Sequence, residues 1–223
     1  MTLRLSGGRR LHSPPGDRAR PTASRVRQAV FNMLAPHLRG ARWLDLCSGS
    51  GVMACEALQH GAAAVVAVEQ DRRIAQVARA NLALVAGGLS VSGSWTVCCR
   101  EVVQWLEQEP SGGGFDLIYC DPPYAAGLHG AVAQALATGG WLRPQGLLLF
   151  ECGTRMLPAI PSSWNPVGER RYGGTTVLVL RPSASAVEQA APAILVPGGH
   201  EQPQQRHGNQ TEHDAAEQGF DHG

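Results

Sequence analysis

The apolar residues of this chain change their period at about residue 41. Ahead of that point Val26, Ala29, Val30, Met33 and Leu34 recur at i, i+3, i+4, i+7 and i+8, the spacing of one helical face. Pro21-Thr22 opens this helix, with Thr22 the expected N-cap. Residues 1 to 20 are polar, with Gly7-Gly8 and Pro14-Pro15-Gly16, and predict an arm or short β-hairpin rather than core. After residue 41 short apolar runs alternate with helical ones. Strands are expected near 42 to 46, 64 to 68, 95 to 99, 115 to 120, 146 to 151 and 175 to 180. Helical patterns follow Gly51, run from Arg72 to Val85 and from Glu101 to Leu106, and cover about Leu128 to Thr138. The stretch between the last two strands is rich in proline and reads as a connector. Short apolar strands separated by helices predict an α/β fold, a doubly wound and mostly parallel sheet.

Charge divides the chain differently. Residues 1 to 40 hold eight arginines against the single acid Asp17, a balance of +7, although the whole chain carries only +1. Residues 182 to 223 are acidic, with few large apolar side chains, and predict a disordered tail. The expected organisation is therefore a basic arm and helix over 1 to 40, a core over 41 to 181, and the tail. No apolar run reaches the roughly 18 to 20 residues of a membrane span, and no signal peptide pattern opens the chain. A cytoplasmic protein with no membrane contact is expected. Six cysteines without a C-x-x-C pair predict buried free thiols rather than disulfides or metal ligands.

In a doubly wound sheet, ligands bind at the carboxyl ends of the strands. Asp45-Leu46-Cys47-Ser48-Gly49-Ser50-Gly51 leaves the first strand as a glycine loop that allows close approach to backbone amides at a helix start. Glu69 ends the second strand, placed to accept from ribose hydroxyls. Glu101 follows the third strand, where its carboxylate could accept from an adenine amine while the amide of Val102 donates to the ring. Each acid has a plainer alternative. Asp45 could only brace the glycine loop, and Glu69 and Glu101 could be acids favoured at helix starts. A nicotinamide cofactor and S-adenosylmethionine share the glycine loop and Glu69.

The fourth strand ends in Asp121-Pro122-Pro123-Tyr124, a loop stiffened by two prolines. The Asp121 carboxylate and the Pro122 carbonyl can together accept from an amino group in the plane of a flat ring. Tyr124 can stack on the face of that ring. A proline-stiffened turn with a core tyrosine is the alternative. Arg4, Arg9, Arg10, Arg18, Arg20 and Arg25, with Asn32 on the same flank of the first helix as Arg25, are candidates for nucleic-acid contact. A merely solvated basic surface competes with that reading.

Two motifs carry a resemblance. Asp45-x-Cys47-x-Gly49-Ser50-Gly51 resembles motif I of class I methyltransferases, with Cys47 in place of the usual first glycine, and Asp121-Pro122-Pro123-Tyr124 resembles their amino-methylating motif IV. With Arg20-Pro21-Thr22, Arg25-Val26-Arg27, Phe31-Asn32, Glu69 and Asp71, the chain over roughly 1 to 181 resembles the RsmD family of 16S ribosomal RNA guanine-N2 methyltransferases. The resemblance implies a Rossmann-like class I methyltransferase fold. It implies S-adenosylmethionine held by Gly49, Gly51, Glu69 and Glu101, with Asp45, Ser48 and Val102 beside it. It further implies a guanine held by Asp121, Pro122 and Tyr124, a 16S ribosomal RNA or assembling 30S subunit as partner, no metal, and a monomer. A DNA amino-methyltransferase acting on adenine or cytosine uses the same loop, but no separate target-recognition domain is evident. An inactive nucleic-acid-binding module would have no reason to keep Gly49, Gly51, Glu69 and Asp121. A nicotinamide oxidoreductase gives the proline loop no role.

Overall fold

The computed structural model describes residues 3–14, 23–89, 93–108, 110, 112–123 and 127–184. After helix α1 (Ser24–Leu38), strands and helices alternate: β1 (Arg42–Leu46), α2 (Val52–Gln59), β2 (Ala64–Glu69), α3 (Arg72–Ala86), β3 (Ser94–Cys99), α4 (Val102–Leu106), β4 (Phe115–Cys120), α5 (His129–Thr138) and β5 (Leu142–Gly153). Two more strands, β6 (Trp164–Tyr172) and β7 (Thr175–Pro182), complete a seven-stranded sheet of order β3-β2-β1-β4-β5-β7-β6. The first five are parallel, β7 runs antiparallel to β5, and β6 antiparallel to β7. This matches the expected mostly parallel sheet.

Helices cover both faces, which is why the inner strands are continuous apolar runs rather than alternating ones. One face packs under α1, α2 and α3 through residues such as Phe31, Trp43, Leu82 and Tyr119. The other packs under α4 and α5 through Trp105, Trp141, Leu136 and Phe150. Phe31 stacks on Trp43 at 5.4 Å, and Trp43 on Tyr119 at 6.2 Å, so an aromatic ladder runs from α1 through β1 to β4. Each such pair adds about 0.5–1.5 kcal/mol beyond its area burial. The strand order reverses between β1 and β4, and that is where a crevice must open at the carboxyl ends.

Three expectations are corrected. The arm does form a hairpin, with Arg4 bridged antiparallel to Arg10, but Leu3, Leu5 and Leu11 are buried in the core under α1, α2 and α3. Alternate arm positions point inward, a signal too short to stand out among the polar residues. Helix α1 starts at Ser24, with Ala23 as an N-cap that offers no side-chain acceptor; Thr22 lies outside the described residues. Part of the proline-rich connector is the edge strand β6, most of whose residues are exposed. Its single paired edge tolerates Pro166, which sits where the register against β7 shifts.

Candidate functional site

The glycine loop leaves β1 through three positive-φ residues: Cys47 at 57°, Gly49 at 54° and Gly51 at 73°. At Gly51 a Cβ would lie 3.0 Å from the Cβ of Ala78 on α3, so both the dihedral and the packing demand glycine. At Gly49 a Cβ would meet nothing within 4 Å, because that face opens on the cavity. Cys47 holds the left-handed conformation that glycine would adopt freely, at a strain of about 1–2 kcal/mol. The loop is held from both ends. Ser48 N–H donates to Val68 O at 2.9 Å, and buried Asn81 on α3 donates to Ser50 O at 3.0 Å while exchanging hydrogen bonds with the backbone of His12 in the arm.

The acids sit as the strand-end argument expects, and Asp45 and Glu101 also meet their structural alternatives, whereas Glu69 braces the glycine loop instead of capping a helix. Asp45 is buried, and its Oδ2 accepts from Ala54 N–H in α2 at 3.0 Å. Burial pushes its carboxyl up to about 8; the Ala54 amide pulls against that and the charge of Glu69 adds to it. Glu69 spans the crevice floor, accepting from Gly49 N–H on one oxygen and Asp71 N–H on the other, both at 2.9 Å. Asp71, which received no site role, is the N-cap of α3 and accepts from Arg73 and Ile74 N–H. Glu101 caps α4 by accepting from Gln104 N–H at 2.9 Å, and Val102 follows it, buried.

Opposite the glycine loop, Asp121 N–H donates to Leu46 O at 3.4 Å and ties the proline loop to β1. Pro122 is buried and Pro123 exposed; Tyr124 lies outside the described residues. One cavity of about 600 Å³ joins both halves, bordered by Ser48, Gly49, Glu69 and Glu101 on one side and Asp121 and Pro122 on the other. That volume falls in the roughly 300–1,000 Å³ range of cofactor and ligand sites. Ser48 Oγ borders it, buried and without a protein partner. A buried hydroxyl in that state fits a site completed by a polar ligand. Among the described residues no cluster of His, Cys, Asp or Glu is arranged to hold a metal ion.

Beneath Asp121 lies a pair that the sequence reading passed over. Tyr119 donates its hydroxyl to Glu151 Oε2, and both border the cavity. Burial first, then the charges of Glu151 and Asp121, push the Tyr119 phenol well above its ordinary value. The only signal in the sequence is an acid closing the apolar run Leu147-Leu148-Leu149-Phe150.

The basic candidates divide. Ala23 borders the cavity, so the first turn of α1, carrying exposed Arg25, lies at its mouth. Exposed Asn32 is seven residues along, about 10 Å farther up the helix. Arg10 is exposed, and Arg4 donates to Gly8 O within the hairpin. Arg9 instead donates to the carbonyls of Leu84, Val85 and Gly88 at the end of α3. Arg18 and Arg20 lie outside the described residues. Arg27 is buried against Glu56 at 2.9 Å, a structural role invisible in a charge count.

A glycine loop after β1, acids at the ends of β2 and β3, and a proline loop after β4, all on one crevice of this sheet, define a class I methyltransferase. The family model described as "Conserved hypothetical protein 95" matches residues 5–181. Ribosomal RNA small subunit methyltransferase D of Escherichia coli K12 is 35% identical over 168 residues, 74% of this chain and 81% of the relative. The putative rRNA methyltransferase YlbH of Bacillus subtilis is 33% identical over 176 residues, covering 78% and 94%. A solved structure, the putative methyltransferase yhhF from Escherichia coli, superposes with a TM-score of 0.70 at 31% identity, covering 82% of this chain and 99% of that one. The rRNA methyltransferase aviRa of Streptomyces viridochromogenes, at 19% identity and a TM-score of 0.63, shares the fold. This chain belongs to the RsmD family.

Proposed function

We propose that this protein transfers a methyl group from S-adenosylmethionine to the exocyclic N2 of a guanine in 16S ribosomal RNA, free or in an assembling 30S subunit, acting as a cytoplasmic monomer. The observation that carries the reading is the single cavity that places Gly49, Glu69 and Glu101 on one wall and Asp121 and Pro122 on the other. Family membership supports the same chemistry. When bound, the cofactor supplies a methyl carbon made electrophilic by its sulfonium. Gly49 and Gly51 let its polar end approach the loop, the orphaned Ser48 hydroxyl adds a donor there, and buried Asp45 braces the loop behind them. Glu69 accepts from the ribose hydroxyls, and Glu101 with the Val102 amide reads the adenine.

On the other wall, the Asp121 carboxylate and the Pro122 carbonyl accept from the two N2 hydrogens while Tyr124 stacks on the base. These contacts favour a pyramidal nitrogen whose lone pair points at the methyl carbon. The nitrogen would gain the methyl carbon as that carbon's bond to sulfur breaks, the electron pair staying with the departing thioether, and would shed a proton to Asp121. Orientation and charge placement therefore carry the catalysis. Incubating the protein and tritiated S-adenosylmethionine with 30S particles and with duplex DNA, then digesting to nucleosides, tests the proposal. Label in N2-methylguanosine from the particles is expected; label only in methylated adenine or cytosine from DNA would overturn the substrate assignment.

A further inference from the structure

Strands β4 and β5 are parallel neighbours, with Cys120 opposite Phe150. The next residue after each is an acid, Asp121 just past the end of β4 and Glu151 within β5, and both border the cavity. Glu151 is only 4% exposed. Its carboxylate receives the hydroxyl of Tyr119, whose ring is fixed against Trp43 in the aromatic ladder. Such a carboxylate is held in place by the core rather than free to turn to solvent. A ligand that enters between two carboxylates is favoured when it brings hydrogens to them and disfavoured when it brings lone pairs. A carboxylate accepts from several donors at once, so the bond from Tyr119 leaves it able to take a donor from a ligand.

The edge of the base decides which ligand satisfies both acids. In guanine the amine that Asp121 and Pro122 would hold lies next to ring N1–H, a third donor in the same plane. In adenine and cytosine the ring nitrogen next to the amine is N1 or N3, each with a lone pair. A fixed carboxylate accepts from the first and is repelled by the other two. We propose that Glu151, positioned by Tyr119 beside Asp121, reads ring N1–H and so selects guanine over adenine and cytosine. This rests on the amine-methylating reading of the site and names the residue behind its base preference. A site built to take a base's hydrogen rejects an analogue that lacks it much more strongly than a merely apolar pocket does.

The test uses the full chain and 30S particles reconstituted with rRNA that carries guanine or 2-aminopurine at the position wild-type protein labels. 2-Aminopurine keeps the N2 amine but has a lone pair at N1. Wild-type protein is expected to methylate guanine about 10- to 100-fold more efficiently in kcat/KM. Glu151→Gln should lower guanine turnover by a similar factor, change 2-aminopurine turnover less than about threefold, and leave donor affinity within about threefold. Tyr119→Phe keeps the carboxylate and should keep the guanine preference at reduced turnover. Equal losses on both bases in Glu151→Gln, or an unchanged preference, would assign Glu151 to the fold alone and overturn the proposal. If Glu151→Gln does not fold, the wild-type comparison still decides, because equal turnover of the two bases removes any reading of N1–H. Wild-type label in adenine or cytosine would defeat the guanine-N2 assignment on which the proposal rests. That differs from failure of Glu151 alone, in which N2-methylguanosine still forms.

Discussion

Asp45 keeps a carboxyl in the core where water cannot solvate its charge, and the consequence is a stability that depends on pH. Its folded value is raised from 3.8 to about 8. Between those values the folded protein holds a proton that the unfolded chain has released, so this group makes stability fall as pH rises through that window. Asp45→Asn retains an acceptor for Ala54 N–H and cannot ionise. Its denaturant midpoint should therefore vary less between pH 5 and 8 than that of wild-type protein; an equal slope would place the titration elsewhere. Asp121 lies across the crevice from the glycine loop, and the part proposed for it in the reaction is confined to the acceptor. Asp121→Ala should reduce kcat by about 100-fold or more while leaving donor affinity within about threefold. Parallel losses in single-turnover rate and calorimetric donor binding would count against that division of labour.

Among the elements, the arm, α1 and α2 are locked together by one buried acid. Glu56 Oε1 accepts from Arg27 Nε in α1 and from the backbone N–H and hydroxyl of Ser6 in the arm. Removing the cation strands a carboxylate that has no exposure at all. Arg27→Ala should cost about 3–5 kcal/mol of unfolding free energy, measured by denaturant titration; a loss below 1 kcal/mol would mean the site relaxes or admits water. The same arm carries the basic residues proposed to meet RNA, and the fold separates their work. Arg9 is committed to the carbonyl end of α3, so Arg9→Ala should act on stability, by about 1 kcal/mol. Exposed Arg10 has no such task. Arg10→Ala should weaken RNA binding at every sequence and shrink the slope of log affinity against log salt by about 1; an unaltered slope would take the arm out of the interface.

At the scale of the whole molecule, both helical layers and the sheet border one crevice, and the two halves of the site belong to different strands of the reversed order. The period of the apolar residues determined the alternation of strands and helices, because helix and strand bury different spacings. Glycine and proline determined the two loops, because their dihedral limits act locally, and Gly51 with Pro122 could be placed from residue type alone. Together they made the α/β class, the family and the strand-end candidates legible. Edge strand β6 was not, because an exposed strand lacks the apolar period. The buried leucines of the arm, the Arg27–Glu56 pair, the commitment of Arg9 to α3 and the Tyr119–Glu151 pair were not legible either. Each depends on residues distant in sequence meeting in space, and a charged side chain reads the same on paper whether it faces water or a partner. Residue order determined which chemistry this chain could hold, down to the acids at the strand ends; only the tertiary structure brought Tyr119 and Glu151 together at the cavity, because burial and partners are properties of the folded neighbourhood.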